Sequence, residues 1–584
     1  MNLQEADILR TLLDEPYENQ RILSEKTGHS LGVINRSVKN LTSGGYLNSK
    51  VRLTKKAKEE IKARSPENAI ILAAGFGMRM VPINLSTPKA LLEIDGEILI
   101  ERIIRQLHEA GVQDITVIVG FMKESFEYLI DEFNVDLVVN REYASKNNLH
   151  SLNLVADRIS NTYIVPCDIW CRDNPFSKAE LYSWYMVSDA EDEESTVRVN
   201  RKTELVRVDD KENGNRMIGI SYIMQDEAGV ISERLNSMDD EDHAGCFWEE
   251  TLISKDRMIL PAKVVSSEDA IEINTYEQLR EFDSDSNHLK SDAMKTIADV
   301  LNCKENDISD ISVLKKGMTN RSFIFSCKGG KYIMRIPGEG TELLINREQE
   351  AEVFATISGK GLCDDPVYIN PGNGFKITRY LEGIRTCDPE NEDDLVKCMA
   401  KLKAFHGMKL KVPHTFDIFG QIDFYEKLWD GTPSVYRDYN KTKANVLSLK
   451  SYIDKQKKDR CLTHIDAVPD NFLFYKTETG EALQLTDWEY SGMQDPHVDI
   501  AMFCIYSLYD KEQCDRLIDI YFDGKCENST RTKIYCYIAI CGLLWSNWCE
   551  YKRKLGVEFG EYSLRQYRYA KDFFRYAKKR MGEV

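Results

Sequence analysis

The chain has 584 residues, of which 42% are hydrophobic and 29% are charged, and its formal net charge is -18. This length exceeds what one hydrophobic core usually serves, so we expect several domains. The negative charge argues against a protein that coats nucleic acid or an anionic membrane with its whole surface. We also predict no membrane insertion, because the longest apolar run, Tyr535–Trp545, is too short to span a bilayer and is typical of a buried helix.

The fifteen cysteines are dispersed along the chain, without CxxC pairs or histidines at the spacing of a zinc site. This distribution favours free thiols in a reducing cytoplasm over a disulfide framework. The N-terminal stretch MNLQEADILRTLL lacks the basic region and the long apolar core of a signal peptide. We therefore predict a cytoplasmic protein.

Residues 1–65 have apolar side chains at helical spacing in three stretches, followed by two short strand-like pieces and a fourth helix. This order resembles a winged helix-turn-helix module, with Leu31–Leu41 in the position of the recognition helix. The segment has 12 Lys+Arg and 8 Asp+Glu, a net charge of +4, which suits contacts with DNA phosphates. The predicted contacts are Asn35, Arg36, Lys39, Arg52 and Lys55. A module that only packs or senses a ligand is the alternative.

An apolar strand that begins at Ala69 runs into the motif AAGFGMR, and the pair Pro88–Lys89 follows. Glycines in such a loop let the backbone approach a triphosphate and direct N–H groups at it. Fixed positive charge then stabilises the developing pyrophosphate. The predicted nucleotide-binding residues are Ala73, Ala74, Gly75 and Gly77, and the predicted catalytic cations are Arg79 and Lys89.

This motif resembles the nucleotidyltransferases of the sugar-phosphate and phosphocholine type, over about residues 66–283. The resemblance implies a Rossmann-like mixed sheet and Mg²⁺ held by a strand-end carboxylate, for which Asp168 in TYIVPCDIW is the candidate. It also implies a loop, Ala144–Val155, that closes on the base and the acceptor. The predicted contacts in this loop are Asn147, Asn148 and Ser151. Because the GxxGTA segment of the sugar enzymes is absent, a cytidylyltransferase that uses CTP and an alkyl-amine phosphate is favoured.

The sequence departs from this family near the end of the domain. The family has a second metal carboxylate in an EIDT-like stretch, whereas AIEINTYEQ has Asn274 at that place and Glu272 two residues earlier on the same strand face. An amide oxygen binds Mg²⁺ more weakly than a carboxylate because it carries no charge. Either Glu272 compensates, or one ion is loosely held, or the activity is impaired; we expect an active enzyme.

A second motif, LTHIDAVPDNFLF, has the pattern H-x-D-x-x-x-x-N at His464, Asp466 and Asn471, and a later apolar strand ends at Asp487. In kinase-like phosphotransferases the first Asp accepts the proton of the attacking hydroxyl, while the Asn and the later Asp hold Mg²⁺ on ATP. We predict these roles for Asp466, Asn471 and Asp487. His464 is expected to brace the loop by hydrogen bonding, and Asp499 is expected to be structural.

Other parts of a kinase-like fold precede this motif in the expected order, namely a loop, a strand, a glycine hairpin, a second strand and a helix. Glu350 in the helix is placed to pair with Arg335 in the second strand. The segment Phe375–Gly383 fits the hinge that receives adenine. The predicted nucleotide contacts in these parts are Gly317, Thr319, Asn320, Arg335, Glu350 and Tyr380.

The set resembles the choline/ethanolamine and aminoglycoside kinase group, over about residues 291–584. Two stretches favour choline: CGLLWSNWCEY places two tryptophans on one helix face, and a tyrosine follows an EFG sequence, as in choline kinases. Aromatic faces suit a quaternary ammonium, which donates no hydrogen bonds. The predicted substrate contacts are Trp488, Glu489, Trp545, Trp548 and Tyr562. Ordinary packing of the tryptophans in the helix core is the alternative.

We thus predict a multidomain α/β chain: a winged helix module (1–65), a Rossmann-like mixed-sheet nucleotidyltransferase (66–283) and a bilobal α+β protein-kinase-like phosphotransferase (N-lobe 291–382, C-lobe 383–584). The polar run Asp283–Asp292 is the predicted linker. The resemblances predict a bifunctional enzyme that phosphorylates choline with ATP and transfers a cytidylyl group from CTP to phosphocholine. The alternatives are enzymes for ethanolamine or a sugar phosphate, and a DNA-binding regulator whose catalytic domains sense metabolites.

Overall fold

A computed structural model describes residues 1–83, 87–208, 212–284, 286–314, 320–338, 344–363, 365–477, 480–554, 557 and 559–582. The chain forms two compact units, Met1–Met294 and Lys295–Val584. The first unit contains the winged helix module together with the nucleotidyltransferase segment, and the second contains the kinase-like segment. The boundaries predicted from the sequence within these units stay predictions.

The N-terminal module consists of four helices, α1 (Leu3–Asp14), α2 (Gln20–Thr27), α3 (Leu31–Ser43) and α4 (Lys55–Ala63). Helix α1 begins at a capping box, in which the Asn2 side chain and the Glu5 side chain satisfy each other's backbone N–H groups. Ile34, Val38 and Leu41 of α3 face the module core. The two predicted wing strands are reduced to one bridge between Leu47 and Leu53.

The module packs against the nucleotidyltransferase segment of the same unit. Ala179 and Leu181 are buried in the hydrophobic core of the module. Around them, Arg10 forms an ion pair with the fully buried Glu180 at 3.4 Å, and the Tyr182 hydroxyl donates to Asp7 at 3.0 Å. Helix α3 takes no part in these polar contacts.

The nucleotidyltransferase segment has strands β1 (Asn68–Ala73), β2 (Glu93–Ile94), β3 (Glu97–Ile98), β4 (Asp114–Val119), β5 (Asp136–Val139), β6 (Thr162–Pro166), β7 (Ile169–Cys171), β8 (Trp184–Asp192), β9 (Val197–Val199), β10 (Glu204–Arg207), β11 (Gly214–Ile223), β12 (Ile253–Ser254), β13 (Arg257–Val265) and β14 (Ala270–Glu272). Its helices are α5 (Leu99–Glu109), α6 (Tyr128–Phe133), α7 (Asn148–Asn153), α8 (Gln225–Met238) and α9 (Tyr276–Phe282).

Among the described residues, ten of these strands form one mixed sheet in the order β5-β4-β1-β6-β11-β8-β13-β10-β9, with β12 beside β13. Strands β5, β4, β1 and β6 are parallel, whereas β11 is antiparallel to both β6 and β8. The chain crosses from β1 to β4 on one side and later returns to β6 on the other. Such a switch point places a ligand crevice at the carboxyl ends of β1 and β6.

The polar run predicted as a linker packs onto this unit. The His288 ring accepts a hydrogen bond from the Glu93 N–H at 3.0 Å, and the Asp283 carboxylate accepts from the Asp95 N–H at 3.1 Å. Leu289 is buried, and its carbonyl accepts from the Tyr276 hydroxyl at 3.1 Å. Two polar side chains of the run therefore accept hydrogen bonds from the backbone of the β2–β3 hairpin. The composition of the run did not predict these contacts.

The second part of the chain has strands β15 (Ile308–Val313), β16 (Asn320–Cys327), β17 (Gly330–Pro337), β18 (Tyr368–Ile369), β19 (Lys376–Arg379), β20 (Arg385–Thr386), β21 (Cys461–Thr463), β22 (Phe472–Thr477), β23 (Gly480–Leu485) and β24 (Gly492–Gln494). Its helices are α10 (Asp292–Leu301), α11 (Arg347–Ile357), α12 (Glu392–Gly407), α13 (Ile418–Lys427), α14 (Tyr439–Ser448), α15 (Lys450–Lys455), α16 (His497–Tyr506), α17 (Lys511–Tyr521), α18 (Asn528–Lys554) and α19 (Glu561–Met581).

Within this unit, strands β15, β16, β17, β19 and β18 form an antiparallel sheet, in that order. The predicted glycine hairpin is confirmed between β16 and β17, where Lys328 and Gly329 both have positive φ. The apolar run Tyr535–Trp545 is buried within α18, as predicted. The described part of the chain has no helix that is both long enough and apolar enough to cross a membrane.

Candidate active sites

The first candidate site lies at the carboxyl end of β1, where Ala73 and Ala74 are buried and Gly75 is exposed. Gly77 has φ +64, and a Cβ there would lie 3.3 Å from the Lys89 Cβ, so this position requires glycine on two grounds. At Gly75 a Cβ would meet no atom of the described residues within 4 Å. The close approach at Gly77 brings the glycine loop beside Lys89.

Lys89 joins the glycine loop to the ends of β6 and β14. Its side chain is buried, and its ammonium donates to the Asp168 carboxylate and, at 2.6 Å, to the Asn274 amide oxygen. The Ile273 N–H donates to the Asp168 carbonyl at 3.1 Å, which fixes β14 against the segment after β6. The structure thus brings together the glycine loop, Lys89, Asp168 and Asn274, as the sequence predicted. Arg79 is exposed beside them.

Glu272 belongs to the same cluster. Burial raises its pKa, and the charge of Asp168 adds to the effect, while Asn274, Lys89 and Arg79 oppose it. Asp168 Oδ1 is buried and has no hydrogen-bond partner among the described residues. An unpartnered carboxylate oxygen that lies beside a second carboxylate fits a hard divalent cation. The described residues contain no cluster of three or more His, Cys, Asp or Glu that could hold a metal ion.

The predicted acceptor loop is held by structural hydrogen bonds. The Asn147 amide donates to the Gly245 carbonyl at 3.1 Å, and the Asn148 side chain accepts from the Trp248 N–H at 2.8 Å. Ser151 is buried, and its hydroxyl accepts from Asn140 at 2.9 Å. Its burial contradicts the prediction that Ser151 contacts the substrate. The Ser151 hydroxyl instead stabilises the loop through the hydrogen bond from Asn140.

The second candidate site is built on the loop after β21. The Asp499 carboxylate accepts from the backbone N–H groups of His464, at 3.0 Å, and Ile465, at 2.7 Å, and from the His406 ring at 2.9 Å. The His464 ring bonds to the Thr486 carbonyl at 2.9 Å, and burial lowers the pKa of His464 to about 4, so the ring is neutral. The predicted bracing roles of His464 and Asp499 are confirmed.

Asp466, Asn471 and Asp487 line one cavity of about 950 Å³. The Asn471 amide donates to the Asp466 carbonyl at 2.8 Å and to its carboxylate at 3.1 Å. Asp487 has φ +65, a strained conformation for a non-glycine residue at a functional site. Burial and the charge of Glu489 raise the pKa of Asp466 to about 7, and the same causes raise the pKa of Asp487. Crowded buried carboxylates of this kind favour a bound cation.

The predicted pair of Arg335 and Glu350 is confirmed as a buried fork, with a second hydrogen bond from Arg335 Nη2 to Glu350 Oε2 at 2.9 Å. Although burial opposes ionisation, Arg335 lowers the pKa of Glu350 to about 2. Gly317 and Thr319 lie outside the described residues, and of Asn320 only the backbone, at the start of β16, is described. Tyr380 lines the cavity at the predicted hinge.

Two basic residues of this site carry no sequence motif that predicted them. Lys376 is buried in β19, directly opposite Arg335 in the ladder, and lines the same cavity with its ammonium 3.8 Å from Glu350. Arg347 binds Glu350 at 2.9 Å and Glu489 at 3.3 Å. Lys376 reaches this face because it pairs with Arg335 in the β17–β19 ladder. The register of these two strands is the signal by which Lys376 could have been predicted.

An aromatic chamber lines the same cavity. Its members are Tyr490, Tyr506, Trp545, Trp548, Phe559 and Tyr562. The rings of Trp545 and Trp548 are nearly parallel, at 19°, with centroids 6.5 Å apart, and Tyr490 meets Trp545 edge to face at 6.3 Å. Burial raises the pKa of Tyr562. Asp466 lines the same cavity, so the predicted base and the chamber share one space.

Trp488 and Glu489 each make structural contacts that the sequence did not predict. The Trp488 ring is fully buried, packs 4.5 Å from His464 and 5.1 Å from Phe405, and donates to the Leu485 carbonyl at 3.0 Å. It therefore supports the catalytic loop. Trp488 also lines the cavity, and its predicted contact with the substrate stays a prediction. Glu489 lines the cavity, but Arg347 already offsets part of its charge.

Comparison with protein families gives three matches along the chain. A winged helix-turn-helix DNA-binding family matches residues 1–48, a MobA-like NTP transferase domain matches residues 69–203, and the choline/ethanolamine kinase family matches residues 311–538. These matches agree in order with the fold and with the two candidate sites.

Curated relatives cover the two catalytic segments separately. The choline-phosphate cytidylyltransferase of Streptococcus pneumoniae is 43% identical over 124 residues, which are 21% of this chain and 54% of that protein. The 2-aminoethylphosphonate cytidylyltransferase of Lancefieldella rimae is 30% identical over 233 residues, 37% of this chain and 92% of that protein. Protein LicA of Haemophilus influenzae is 28% identical over 261 residues, 43% of this chain and 96% of that protein. The chain thus belongs to the cytidylyltransferase family and joins this nucleotidyltransferase to a choline/ethanolamine kinase domain and a winged helix-turn-helix module in one polypeptide.

Proposed function

We propose that this chain converts choline into CDP-choline in two steps, one in each unit. The kinase domain transfers the γ-phosphoryl group of ATP to choline, and the nucleotidyltransferase domain transfers a cytidylyl group from CTP to the resulting phosphocholine. The observation that carries the proposal is the shared cavity, in which the aromatic chamber and the carboxylates Asp466 and Asp487 line one space. The fifteen cysteines are all unpaired, which supports a cytoplasmic location.

In the first step, Asp466 accepts the proton of the choline hydroxyl as its oxygen attacks the γ-phosphorus and ADP leaves. The hydrogen bond from Asn471 orients the Asp466 carboxylate. Arg335 and Lys376 supply positive charge on one strand face of the cavity, and Glu350 fixes both. The aromatic chamber holds the trimethylammonium group through the electron-rich faces of its rings.

In the second step, a phosphate oxygen of phosphocholine attacks the α-phosphorus of CTP, and pyrophosphate leaves. The backbone of the Gly75–Gly77 loop approaches the triphosphate, and Arg79 and Lys89 stabilise the charge that develops on it. Lys89 is positioned for this role by its hydrogen bonds to Asp168 and Asn274.

Both sites have donors that fit Mg²⁺. Asp168, Glu272 and Asn274 would hold it in the nucleotidyltransferase, and Asn471 and Asp487 would hold it in the kinase. The unpartnered Asp168 oxygen and the crowded carboxylates around Asp487 support this assignment. Bound Mg²⁺ neutralises phosphate charge and orients the phosphates. Because Asn274 is neutral, Glu272 is the carboxylate that compensates for the missing family ligand.

Replacing Trp545 by Ala should raise the KM for choline about 30-fold, because each desolvated cation–π contact is worth about 2 kcal/mol. The KM for ATP and the kcat at saturating choline should stay within about twofold, since Trp545 does not contact the phosphates in this proposal. Steady-state kinetics with choline and ethanolamine measure the effect.

Trp429→Phe serves as the matched control, because Trp429 is also buried in this core but does not line the cavity. A larger loss with choline than with ethanolamine supports recognition of the quaternary ammonium. An unchanged choline KM in Trp545→Ala would show that the tryptophans only pack the helix.

A second candidate function is DNA binding by the winged helix module. Asn35, Arg36 and Lys39 are exposed on the outer face of α3, and Arg52 is exposed in the wing. The contacts that dock the module use Asp7 and Arg10 of α1, so α3 stays accessible within this unit. This arrangement supports binding of duplex DNA by the complete enzyme.

Arg36→Glu in the full chain should weaken binding to a duplex from upstream of its own gene at least tenfold, because it replaces a phosphate-binding cation by an anion. Fluorescence anisotropy at several salt concentrations measures the affinity. The control is Lys202→Glu, the same charge reversal at an exposed position of the nucleotidyltransferase. Equal affinities of Arg36→Glu, Lys202→Glu and the unmodified chain would exclude α3 as a DNA-binding surface.

A further inference from the structure

A half-buried glutamate of the first unit, with one carboxylate oxygen fully buried, has no role in the chemistry described above. Glu249 lies in the short 3₁₀ turn Trp248–Leu252, and the turn is tied to the acceptor loop by the hydrogen bond from the Trp248 N–H to Asn148. Glu249 Oε1 accepts from the Tyr185 hydroxyl at 3.2 Å. Glu249 Oε2 is buried and has no hydrogen-bond partner among the described residues.

The carboxylate lies near the sheet edge that carries Asp168. Gly219 lies in the irregular part of the β11–β8 ladder and has φ +88. A Cβ at Gly219 would lie 2.6 Å from the Pro166 ring and 3.9 Å from Glu249 Oε1. Pro166 precedes Asp168 by two residues, a span of about 7 Å in an extended strand. Gly219 therefore leaves room for Glu249 to approach the end of β6.

The charge of Glu249 is not balanced by the protein. Within the described ranges, no Lys, Arg or His forms an ion pair with it, and the neighbouring charges that act on it are those of two other carboxylates, Glu272 and Glu250. Burial raises the pKa of Glu249 to about 7, and Glu272 adds to the effect. An unpaired buried carboxylate is costly to fold, so its presence in a ligand crevice favours a ligand of opposite charge.

We infer that Glu249 is the counter-ion for the cationic head of the acceptor in cytidylyl transfer. The acceptor class is a phosphate or phosphonate that carries an ammonium group on a short arm. Its phosphate or phosphonate group would lie at the Asp168–Lys89 end of the crevice, and its ammonium group would lie at Glu249. This inference rests on the proposed function for the nucleotidyltransferase but does not require that the acceptor be phosphocholine.

The test compares charged and uncharged acceptors. Phosphocholine, 2-aminoethylphosphonate and neohexyl phosphate, in which carbon replaces the quaternary nitrogen, are each assayed with CTP in the full-length enzyme. The unmodified enzyme should prefer one of the cationic acceptors over neohexyl phosphate by about 30-fold in kcat/KM, a typical value for a desolvated charge pair. In Glu249→Gln this preference should fall to about threefold or less, while the KM for CTP stays unchanged.

Glu250→Gln is the control, because Glu250 is the exposed neighbour on the same turn. Glu249→Asp keeps the charge and should retain most of the preference. A preference that survives in Glu249→Gln would overturn the inference and leave the proposed function intact. If the unmodified enzyme used 2-aminoethylphosphonate and not phosphocholine, the proposed function would fail, while loss of the preference in Glu249→Gln would still support the role of Glu249.

Discussion

Asp466→Asn should lower the kcat for choline phosphorylation about 1000-fold and leave cytidylyl transfer to added phosphocholine unchanged. The variant removes the proton acceptor, and general base catalysis typically contributes a factor of about 100 to 10,000. Asparagine has nearly the same shape, so the hydrogen bond with Asn471 is retained. Coupled assays for ADP and for pyrophosphate measure the two reactions in the same protein.

The stability of this variant separates a catalytic from a folding defect. Folding raises the pKa of Asp466 to about 7, so the folded state binds this proton more tightly than the unfolded state. The stability that protonated Asp466 contributes is therefore lost as the pH rises from about 4 to about 7, and a neutral asparagine should give an equal or higher Tm at pH 8. Asp459→Asn, at an exposed ion pair of the same lobe, is the control. Kinase activity that survives in Asp466→Asn would remove Asp466 from the mechanism.

Asp168→Asn should lower cytidylyl transfer about 1000-fold and leave choline phosphorylation unchanged. The variant keeps an oxygen that accepts the hydrogen bond from Lys89 but removes the charge that a divalent cation requires. The concentration of Mg²⁺ that gives half-maximal rate should rise as well, since only Glu272 then remains as a charged ligand. Pyrophosphate release measured over a range of Mg²⁺ concentrations tests both effects.

The control for this prediction is Asp173→Asn, an exposed position shortly after the same strand. It should alter neither the rate nor the Mg²⁺ dependence. An Asp168→Asn enzyme with normal kinetics would show that the cluster around Lys89 is structural.

The sequence predicted the parts of both sites that lie in short motifs. Gly77 and Lys89 were predicted from one motif and Asp168 from the resemblance to nucleotidyltransferases, whereas Asp466, Asn471 and Asp487 were predicted from one loop and one strand. Arg335 and Glu350 were predicted as a pair from their order in a strand and the following helix. These predictions depended on short motifs and on their order along the chain, which the family resemblances supplied.

Relations that depend on packing were not predicted. No motif indicated that the Trp488 ring packs on His464 and Phe405. Lys376 and Glu249 carry no motif, and only the β17–β19 register and the irregularity at Gly219 bring them to the sites. The docking of Ala179 and Leu181 in the winged helix core is likewise a relation between distant segments.

The most direct test of the two-step account is a single incubation of the full-length chain with choline, ATP, CTP and Mg²⁺, followed by phosphorus NMR. We expect phosphocholine to appear first and then to be converted to CDP-choline with release of pyrophosphate. Omitting CTP should stop the reaction at phosphocholine, and omitting ATP should leave choline unchanged. Formation of phosphocholine that never becomes CDP-choline in the complete mixture would contradict the account.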